Sequence, residues 1–503
     1  MIDAYAADTV RGAEQAVLAT LPDDRPDELM ARAARGLATV VRARLKGRPR
    51  PSVVTLVGAG NNGGDALYAS AQVARHGASV TVLLVADTAH AGGLEAVREA
   101  GIRVIQAIEP AGSGGGRLHP AALEVVGAAE LVLDGILGIG GRPGLGEPVL
   151  SLVHAIPETA YVVAVDLPSG ADPSGQIALA AAVFADETVT FGVAKPVHLL
   201  PATERAVGRL TVVDIGLSIT TPPAVQRLTA GDAAALWPVP GPGDHKYSRG
   251  VVGIVAGGKE YTGAPLLAVT AAVCAGAGMV RYVGPERPTD LIRAAVPEAV
   301  FGVGRVQAWV VGPGLDIHDR SAAGMAQRDA AQSALDSGQP CVVDAGGLDL
   351  VAGRRSAPTL LTPHAGELAR LLSRIDADVA REQVESEPLP HARRLADLTS
   401  STVLLKGFTT LVVSPASAEL PVRSQSDAPP WLATAGAGDV LAGLVGVLLA
   451  AGLSPLDAGS LAALVHGFSA SAANPGGPIR ALQVAHGIPA VVARLLRRAA
   501  GGR

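Results

Sequence analysis

The sequence predicts an α/β protein built from two successive domains, the first of them a Rossmann-like doubly wound sheet. Short apolar, β-rich runs alternate with helical stretches along nearly the whole chain, which is typical of parallel sheets covered by helices. A proline-rich break near the middle separates two such alternations. The chain has 503 residues, of which 49% are apolar and 17% charged, so it can form large hydrophobic cores and is not a disordered protein.

The first alternation follows an N-terminal helical region. Apolar residues from Leu29 to Val41 recur at helical spacing with arginines between them, and this predicts helix within the first 50 residues. The strands predicted after it are apolar on both faces, as buried parallel strands are. They are Val53–Leu56, Val80–Val85, Leu131–Leu133, Tyr161–Val165 and Thr188–Phe191.

The domain boundary is expected near residues 218–230, giving domains of residues 1–218 and 230–503. Thr220-Thr221-Pro222-Pro223 and the proline-rich stretch from Trp237 to Gly243 interrupt regular structure there. The acidic segment from Arg374 to Pro390 is expected to be an irregular surface segment. Strands of the second domain are predicted at Val251–Val255, Trp309–Val311, Cys341–Val343, Thr359–Leu361, Val403–Leu405 and Leu411–Val413.

Charge, cysteine content and apolar runs exclude several classes of protein. The net charge of −5 argues against a nucleic-acid partner, which usually requires a basic face. Cys274 and Cys341 are too few for a disulfide framework or a zinc site, so a cytoplasmic location is expected. No signal peptide is expected at the N-terminus. The longest apolar run, Val440–Ala451, is too short to span a bilayer, which predicts a buried helix and no membrane partner.

A glycine-rich turn after the first long strand is the first candidate site. Gly58-Ala59-Gly60-Asn61-Asn62-Gly63-Gly64-Asp65 leads from Leu56 into a helix, where backbone N–H groups can bind a phosphate. The turn differs from the dinucleotide fingerprint because it contains two asparagines and an aspartate. The alternative is a βα turn whose polar residues only cap the helix.

Two further polar segments follow strands of the same sheet. Asp134 follows Leu131–Leu133, and Asp166 and Ser169 follow Tyr161–Val165. The carboxyl ends of parallel strands converge on a ligand crevice. Asn62, Asp134 and Ser169 would offer hard oxygen ligands, which suit an alkali or alkaline-earth cation. A single such aspartate would more often cap a helix, but three together favour a pocket.

The loop Thr434-Ala435-Gly436-Ala437-Gly438-Asp439 is the strongest signal in the second half. It precedes an apolar helix, so its N–H groups form an anion hole for phosphate oxygens. Asp439 would lie near a transferring phosphoryl group and accept the proton of an attacking hydroxyl. Helix capping by Asp439 is the alternative, but it does not explain the glycines or Thr434.

Other candidate residues of the second half also follow predicted strands or begin helices, so one crevice could collect them. His364 by itself is more often a structural residue than a ligand. The set comprises Ala264, Gly314, His364 and the segment Lys406-Gly407-Phe408-Thr409-Thr410.

Residues 1–215 resemble the NAD(P)H-hydrate epimerase domain. The resemblance rests on Asn61–Asp65, the segment Asp134-Gly-Ile-Leu-Gly and Asp166-Leu-Pro-Ser-Gly; Ala66 departs from it, since glycine is frequent there. It implies potassium at Asn62, Asp134 and Ser169. Inversion at the hydrated carbon needs a proton acceptor, for which Asp166 is the candidate. Lys195 either assists it or is an exposed lysine after a strand. The residues implied to contact the hydrated nucleotide are Asn61, Asn62, Gly63, Gly64, Asp65, Gly138, Ile139, Gly140, Gly141, Arg142, Pro143, Gly144 and Asp166.

Residues 240–495 resemble the ADP-dependent NAD(P)H-hydrate dehydratases, which have a ribokinase-like fold. Ordered motifs carry this resemblance, from His245-Lys-Tyr-Ser-Arg-Gly250 to Gly438-Asp439. It implies that ADP and Mg²⁺ bind here. Lys259 and Asp316 depart from the family, which often has serine and glycine there. The implied hydrate contacts are Ala264, Gly314, His364 and Asp439, and the implied nucleotide contacts are Lys406, Gly407, Phe408, Thr409, Thr410 and Gly438.

The resemblances together imply a bifunctional enzyme that repairs hydrated NAD(P)H. One domain would exchange the R and S hydrates, and the other would dehydrate the S hydrate with ADP, releasing AMP and phosphate. The expected partners are hydrated NADH or NADPH and ADP, within a homo-oligomer. Two alternatives are a ribokinase-like small-molecule kinase with an N-terminal nucleotide-binding domain, and a nucleotide-binding sensor. Asp439 argues against the sensor, because binding alone needs no base.

Overall fold

A computed structural model of the chain describes residues 1–21, 27–111 and 115–501. The chain divides into two compact units, one of residues 3–225 and the other of residues 226–503 together with Met1–Ile2. The described residues form these strands: β1 Ile2–Ala4, β2 Ser52–Val57, β3 Ser79–Leu84, β4 Arg103–Gln106, β5 Ile108–Ala111, β6 Gly115–Leu118, β7 Leu131–Gly135, β8 Tyr161–Val165, β9 Glu187–Phe191, β10 Arg209–Val213, β11 Val225–Arg227, β12 Val251–Val255, β13 Met279–Val283, β14 Val300–Phe301, β15 Ala308–Val311, β16 Cys341–Val343, β17 Thr359–Leu361, β18 Thr402–Leu405, β19 Thr410–Val413 and β20 Val422–Gln425.

Helices connect most of these strands, and short 3₁₀ turns lie at 196–198, 204–206, 345–350, 416–418 and 430–432. The α-helices are α1 Ala7–Leu18, α2 Glu28–Leu45, α3 Asn61–Arg75, α4 Ala91–Glu99, α5 Pro120–Gly127, α6 Val149–His154, α7 Ala230–Leu236, α8 Gly263–Cys274, α9 Glu286–Ala295, α10 Ala322–Asp336, α11 Ala365–Ile375, α12 Arg381–Ser386, α13 Pro388–Thr399, α14 Ala437–Ala450, α15 Pro455–Ala473 and α16 Ala481–Gly501.

The first unit is built on a seven-stranded sheet in the order β10-β9-β8-β7-β2-β3-β4, in which every neighbouring pair is parallel. Helices α2 and α3 pack on one face of this sheet, and α5 and α6 pack on the other. The chain order reverses between β2 and β7, which makes the carboxyl ends of these strands the expected ligand crevice. The doubly wound sheet predicted from the sequence is therefore confirmed.

The second unit contains a sheet with the strand order β20-β19-β18-β17-β16-β15-β12-β13-β14. In this order, every neighbouring pair from β18 to β14 is parallel, whereas β19 pairs antiparallel with both β18 and β20. Its chain order reverses between β12 and β15. Helices α8, α14, α15 and α16 contribute to one large apolar core with the sheet. The α/β class predicted for this half is confirmed.

Helix α14 agrees with the sequence prediction, whereas the segment from Arg374 to Pro390 differs from it. The apolar run at 440–451 forms most of α14, whose residues from Val440 to Ala450 are all buried, so the buried helix is confirmed. No helix among the described residues is long and apolar enough to cross a membrane. The prediction that the segment from Arg374 to Pro390 is irregular is wrong, because the segment contains α12 and the start of α13. Val384 is the buried residue of α12, and the charged residues around it obscured the helical pattern in the sequence.

Candidate active sites

The first unit has a cavity of about 760 Å³ at the carboxyl ends of β2, β7 and β8. Glycine is required where β2 and β7 end, because a Cβ on Gly58 would lie 2.0 Å from the carbonyl oxygen of Ile136. Arg11, Glu14 and Gln15 of α1 also contribute to its walls. The predicted contact residues that line the cavity are Asn61, Asn62, Asp65, Gly138, Ile139, Gly140, Gly141 and Asp166.

The other residues of this unit that were predicted to contact the hydrated nucleotide do not line the cavity. A Cβ on Gly63 would meet the Gly58 carbonyl oxygen at 2.3 Å, and one on Gly64 would meet the Met30 sulfur at 2.8 Å. Close packing of α3 therefore explains both glycines without a ligand. Arg142 and Pro143 are exposed. The Gly144 N–H donates to the Gly170 carbonyl oxygen at 2.8 Å.

Asn62 has an unpartnered oxygen inside the protein. It lies in the first turn of α3, is 7% exposed, and its Nδ2 donates to the Leu137 carbonyl oxygen at 3.0 Å. Its Oδ1 is buried without a hydrogen-bond partner among the described residues. A buried polar oxygen without a donor is costly unless a ligand satisfies it. The side chain thus provides a vacant acceptor of the kind that a cation would occupy.

Asp134 and Ser169, the other two predicted cation ligands, are in direct contact and fully buried. Ser169 donates to Asp134 through Oγ at 2.5 Å and through its backbone N–H at 2.8 Å. Burial still raises the pKa of Asp134 to about 6. The Leu137 N–H donates to Ser169 Oγ at 2.9 Å, so Leu137 connects this pair to Asn62. A buried carboxylate, a hydroxyl and a free amide oxygen form a donor set that fits a cation such as K⁺.

Asp166 forms an ion pair with Lys195. Lys195 Nζ donates to Asp166 Oδ1 at 2.5 Å and to Thr190 Oγ1 at 2.7 Å. Lys195 is only 2% exposed, so the alternative of an exposed lysine is wrong. Burial opposes ionisation of Asp166, but Lys195, His198 and Thr190 outweigh it and lower the pKa of Asp166 below its usual value. Asp166 therefore remains a carboxylate at neutral pH.

The backbone around this pair is held by His198. Asp166 has a φ of +65°, which is uncommon for a residue other than glycine. His198 Nδ1 accepts a hydrogen bond from the Lys195 N–H at 3.0 Å, so its Nε2 is the donor to the Asp166 carbonyl oxygen at 2.8 Å. Burial, followed by the Lys195 charge, lowers the pKa of His198 to about 4, so the ring is neutral. His198 was not predicted from the sequence, where its signal was its position three residues after Lys195.

Two more carboxyl groups face the same cavity. Burial, then the charges of Asp166 and Glu14, raise the pKa of Asp65 well above its usual value, although Lys195 opposes the rise. Burial also raises the pKa of Glu14, with Lys195 acting against it. The cavity thus combines an ionised carboxylate with two carboxyl groups whose pKa values are raised.

Asp439 lies in the first turn of α14, after a sharp turn at Gly436. Gly436 has a φ of +88°, and a Cβ there would meet Leu267 at 2.4 Å, so the turn requires glycine. Burial first, and then the negative charge of Asp344, raise the pKa of Asp439 to about 7, while Lys406 opposes the rise. Asp439 is therefore poised to exchange a proton near neutral pH.

Lys406 binds two other carboxylates beside this turn. Its Nζ lies 2.8 Å from Asp344 Oδ1 and 3.5 Å from Glu367 Oε2. A Cβ on Gly438 would lie 3.5 Å from Lys406 Nζ and 3.9 Å from Asp344 Oδ2, so both charged groups lie next to the Gly438 backbone. Burial opposes the charge on Lys406, but Asp344 and Glu367 raise its pKa overall. Lys406 is thus cationic at the site.

Asp344 is a residue of this site that was not predicted from the sequence. It follows β16, is 2% exposed, and accepts hydrogen bonds from Lys406 and from Thr362 Oγ1, the latter at 2.8 Å. A Cβ on Gly312 would lie 1.9 Å from the Asp344 carbonyl oxygen, so the loops after β15 and β16 approach closely. The available signal was an aspartate directly after a predicted strand, as at Asp134 and Asp166.

His364 caps helix α11. Its Nδ1 accepts from the N–H groups of Gly366 and Glu367 at 3.1 and 3.2 Å, and Glu367 Oε2 accepts from the His364 N–H at 2.8 Å. This capping box satisfies donors at the helix start. The side chain is 58% exposed, and its Nε2 lies 3.6 Å from Glu367 Oε2.

The other predicted residues of this unit lie at strand ends and helix starts. A Cβ on Gly314 would meet the Ala264 Cβ at 2.9 Å, so these two residues adjoin. Phe408 is 63% exposed at the turn between β18 and β19, whereas Thr409 is buried. Lys259 and Asp316 line one cavity of about 280 Å³ near β12.

Comparisons with known proteins agree with both halves of the chain. The family described as YjeF-related protein N-terminus matches residues 26–197, and the family described as NAD(P)H-hydrate dehydratase matches residues 252–482. The bifunctional NAD(P)H-hydrate repair enzyme Nnr of Mycobacterium tuberculosis H37Rv is 42% identical over 468 residues, covering 89% of each chain. The Mycobacterium leprae enzyme of the same name is 41% identical and covers 94% of each chain.

Among solved structures, the chain is similar to the ADP/ATP-dependent NAD(P)H-hydrate dehydratase of Bacillus subtilis co-crystallised with ATP/Mg²⁺. The identity is 24% and the TM-score is 0.47, over 54% of this chain and 99% of that one. The resemblance stated from the sequence motifs is confirmed by the mycobacterial relatives, which span both units. The chain belongs to the family of bifunctional NAD(P)H-hydrate repair enzymes.

Proposed function

We propose that this protein repairs hydrated NADH and NADPH with two active sites. Residues 1–218 exchange the R and S hydrates, and residues 230–503 dehydrate the S hydrate with ADP, which yields NAD(P)H, AMP and phosphate. The observation that carries the proposal is the 42% identity to a bifunctional repair enzyme over 89% of both chains. Carboxyl groups with displaced pKa values in both units support it, because such groups cluster where proton transfer occurs.

The dehydration chemistry is assigned to Asp439. Its carboxylate accepts the proton of the ring hydroxyl as that oxygen attacks the terminal phosphate of ADP, and AMP leaves. The hydroxyl is thereby converted into phosphate, a good leaving group. The electron pair of the ring nitrogen expels the phosphate, and loss of a proton from the neighbouring carbon restores the dihydronicotinamide. A pKa of about 7 suits a group that must accept this proton near neutral pH.

The nucleotide and the hydrate are assigned to the residues around Asp439. The N–H groups at the start of α14 favour phosphate oxygens at Gly438, and cationic Lys406 lies beside that backbone. The segment from Gly407 to Thr410 would hold the rest of the nucleotide. Ala264, Gly314 and His364 would contact the hydrate, His364 through its exposed side chain.

Magnesium would neutralise charge on the nucleotide phosphates at this site. No group of three or more His, Cys, Asp or Glu side chains in the described part of the chain is arranged to hold a metal ion. Mg²⁺ commonly retains water and binds through substrate phosphates with one or two carboxylates. Asp344 and Glu367 are the carboxylates at hand, and Lys406 already binds both.

Epimer exchange is assigned to the cavity of the first unit. Asp166 remains ionised beside Lys195, so it is available to accept a proton from water that adds to the ring. His198 fixes the backbone of both residues. Asn61, Asp65 and the turn from Gly138 to Gly141 line the space for the nucleotide.

We assign a potassium ion to Asn62, Asp134 and Ser169. The unpartnered Asn62 Oδ1 is the observation that favours it, and the buried Asp134 provides the negative charge. The ion would satisfy both groups and would fix the start of α3 against the turn after β7. The ion would have a structural role, since no bond of the substrate needs to change at this position.

A cytoplasmic homo-oligomer is part of the same proposal. Cys274 and Cys341 are free thiols, which suits a reducing compartment. Light scattering of the purified chain measures the assembly, and a monomeric mass would overturn that part.

The activity is tested by incubating purified protein with each separated epimer of hydrated NADH, with and without ADP. We expect ADP to restore the absorbance of the reduced ring from both epimers, and epimer exchange to continue without ADP. Failure to restore it from either epimer, with a phosphorylated sugar or vitamin accumulating in a substrate screen, would favour the kinase alternative instead.

A further inference from the structure

Four carboxyl groups line the cavity of the first unit, those of Glu14, Asp27, Asp65 and Asp166, and the buried ammonium group of Lys195 lies behind Asp166. Lys195 Nζ donates to Asp166 at 2.5 Å, to Thr190 at 2.7 Å and to the Phe191 carbonyl oxygen at 3.2 Å. An ammonium group has three protons, so all of its donors are used. None is left for Glu14 or Asp65.

The other cationic or titratable side chains of the cavity are also engaged. Arg11 donates to Asp8 Oδ1 at 2.8 Å and to the Ile139 carbonyl oxygen at 2.9 Å. His90 Nδ1 accepts from the Gly93 N–H, and its Nε2 lies 4.0 Å from Asp27 Oδ1. Arg11 nevertheless favours ionised Glu14 through its charge, whereas no cation other than Lys195 is among the charges that act on Asp65.

Unpaired carboxylates in a confined cavity retain their protons, because desolvation and like charge both favour the neutral form. Asp65 combines both influences: burial acts first, followed by the charges of Asp166 and Glu14, and the pKa of Asp65 rises well above its usual value. Asp166 is driven in the opposite direction by Lys195. Two carboxyl groups whose environments separate their pKa values are the usual arrangement of an acid and a base in one site.

We propose that Asp65 is the proton donor of epimer exchange and that Glu14 is a positioning residue that keeps Asp65 protonated. This inference rests on the proposed epimerase function of the first unit. It assigns a catalytic role to Asp65, which the sequence motifs predict only as a substrate contact.

The proposed step balances without any further reagent. Neutral Asp65 protonates the hydroxyl on the hydrated carbon, the C–O bond breaks, and water leaves with the bonding pair. The lone pair of the ring nitrogen forms a C=N bond, which leaves an iminium cation and the Asp65 carboxylate. Water then adds to the opposite face, the π pair returns to nitrogen, and Asp166 accepts the proton that this water releases. The reverse sequence, with Asp166 as donor, converts the other epimer and restores the protons.

The test compares Asp65→Asn and Asp65→Glu with the unaltered protein. Epimer exchange is followed chromatographically without ADP, starting from one separated epimer, and the uncatalysed exchange is subtracted. We expect Asp65→Asn to lower kcat by about 100- to 10,000-fold with little change in KM, and Asp65→Glu to recover part of it. ADP-dependent dehydration of the S hydrate by the second unit should be unchanged in both variants.

Glu14→Gln provides the second readout. Exchange by the unaltered protein should decline at high pH as Asp65 loses its proton. Removal of the Glu14 charge should shift that decline to lower pH, because one like charge beside Asp65 is gone. A purely structural Glu14 would leave the pH of the decline unchanged.

Several results would overturn the proposal. Exchange by Asp65→Asn within threefold of the unaltered rate would remove Asp65 as the acid, and a higher KM at unchanged kcat would reduce it to a binding residue. A high-pH decline that Glu14→Gln does not move would remove the role of Glu14. No exchange above background by the unaltered protein, with dehydration intact, would overturn the epimerase function itself and this inference with it.

Discussion

The pH dependence of dehydration gives the sharpest test of the role of Asp439. With a pKa of about 7, this group is half ionised at pH 7. At pH 6 roughly a tenth of it is ionised, so a base in this role would give kcat/KM about tenfold below the plateau reached above pH 8. A carboxylate with an ordinary pKa near 4 would instead stay ionised and give a flat profile over this range. The assay is the initial rate of NADH recovery from the S hydrate with saturating ADP, measured between about pH 5.5 and 9.

Asp344→Asn separates Asp439 from other groups that titrate in this range. The terminal phosphate of ADP also changes charge near pH 6 to 7, but its titration in solution does not depend on Asp344. Removing the Asp344 charge should lower the pKa of Asp439 and move the rising limb to lower pH, since Asp344 is the like charge that acts on it. A flat profile, or a limb that stays in place in Asp344→Asn, would refute the assignment of Asp439 as the base.

Three further predictions concern ligand binding and stability. We expect KCl to raise the Tm of the unaltered protein above its value in choline chloride. Asn62→Ala should abolish that rise and lower the rate of epimer exchange at least tenfold, because the unpartnered Oδ1 is lost. Equal exchange rates with and without potassium would contradict the cation site. His198→Phe should destabilise the first unit by about 2–4 kcal/mol, because the Asp166 carbonyl and the Lys195 N–H lose their partner; urea unfolding of the full chain measures it, and a change below about 0.5 kcal/mol would show that other groups satisfy them. Asp439→Asn should stabilise the second unit by about 1–3 kcal/mol at pH 8, measured on the thermal unfolding transition that shifts when ADP is added. The pKa of Asp439 in the folded state lies above the unfolded value of 3.8, so its ionisation costs the folded state free energy between those values and above them. The gain should nearly vanish by pH 4, and an equal gain at both pH values would rule out this cause.

Strand ends were the features that the sequence specified best. Asp134 and Asp166 each follow an apolar run predicted as a strand, and a parallel sheet brings such positions to one edge. Local pattern alone is enough for this inference because the side-chain alternation and the turn residues are both encoded within a few positions. Burial of the predicted strands follows from the same pattern.

Pairing between distant residues was beyond the sequence. The sequence left Lys195 as either exposed or catalytic, because its hydrogen bonds are to Thr190 on β9 and to Asp166, which follows the neighbouring strand β8. Asp344 was missed for the same reason: its importance comes from Lys406, 62 residues away. Long-range partners of this kind leave no periodic signal, and the charge of a buried residue depends on them.

The two sites use one electrostatic arrangement for different ends. In each, a lysine donates a hydrogen bond to one carboxylate: Lys195 binds Asp166, and Lys406 binds Asp344. Burial first, and then the charge of the bound carboxylate, raise the pKa of a second carboxyl group, Asp65 in the first site and Asp439 in the second.

Burial is the first cause of the rise in both sites, and like charges add to it: Asp166 and Glu14 act on Asp65, whereas Asp344 acts on Asp439. A raised pKa favours the protonated form of Asp65, as the proposed acid of epimer exchange requires. A pKa of about 7 leaves Asp439 able to accept a proton and to release it at neutral pH, as a base that turns over must. Removing the like charge in Glu14→Gln or Asp344→Asn should therefore lower the pKa of the neighbouring acid or base while its burial persists.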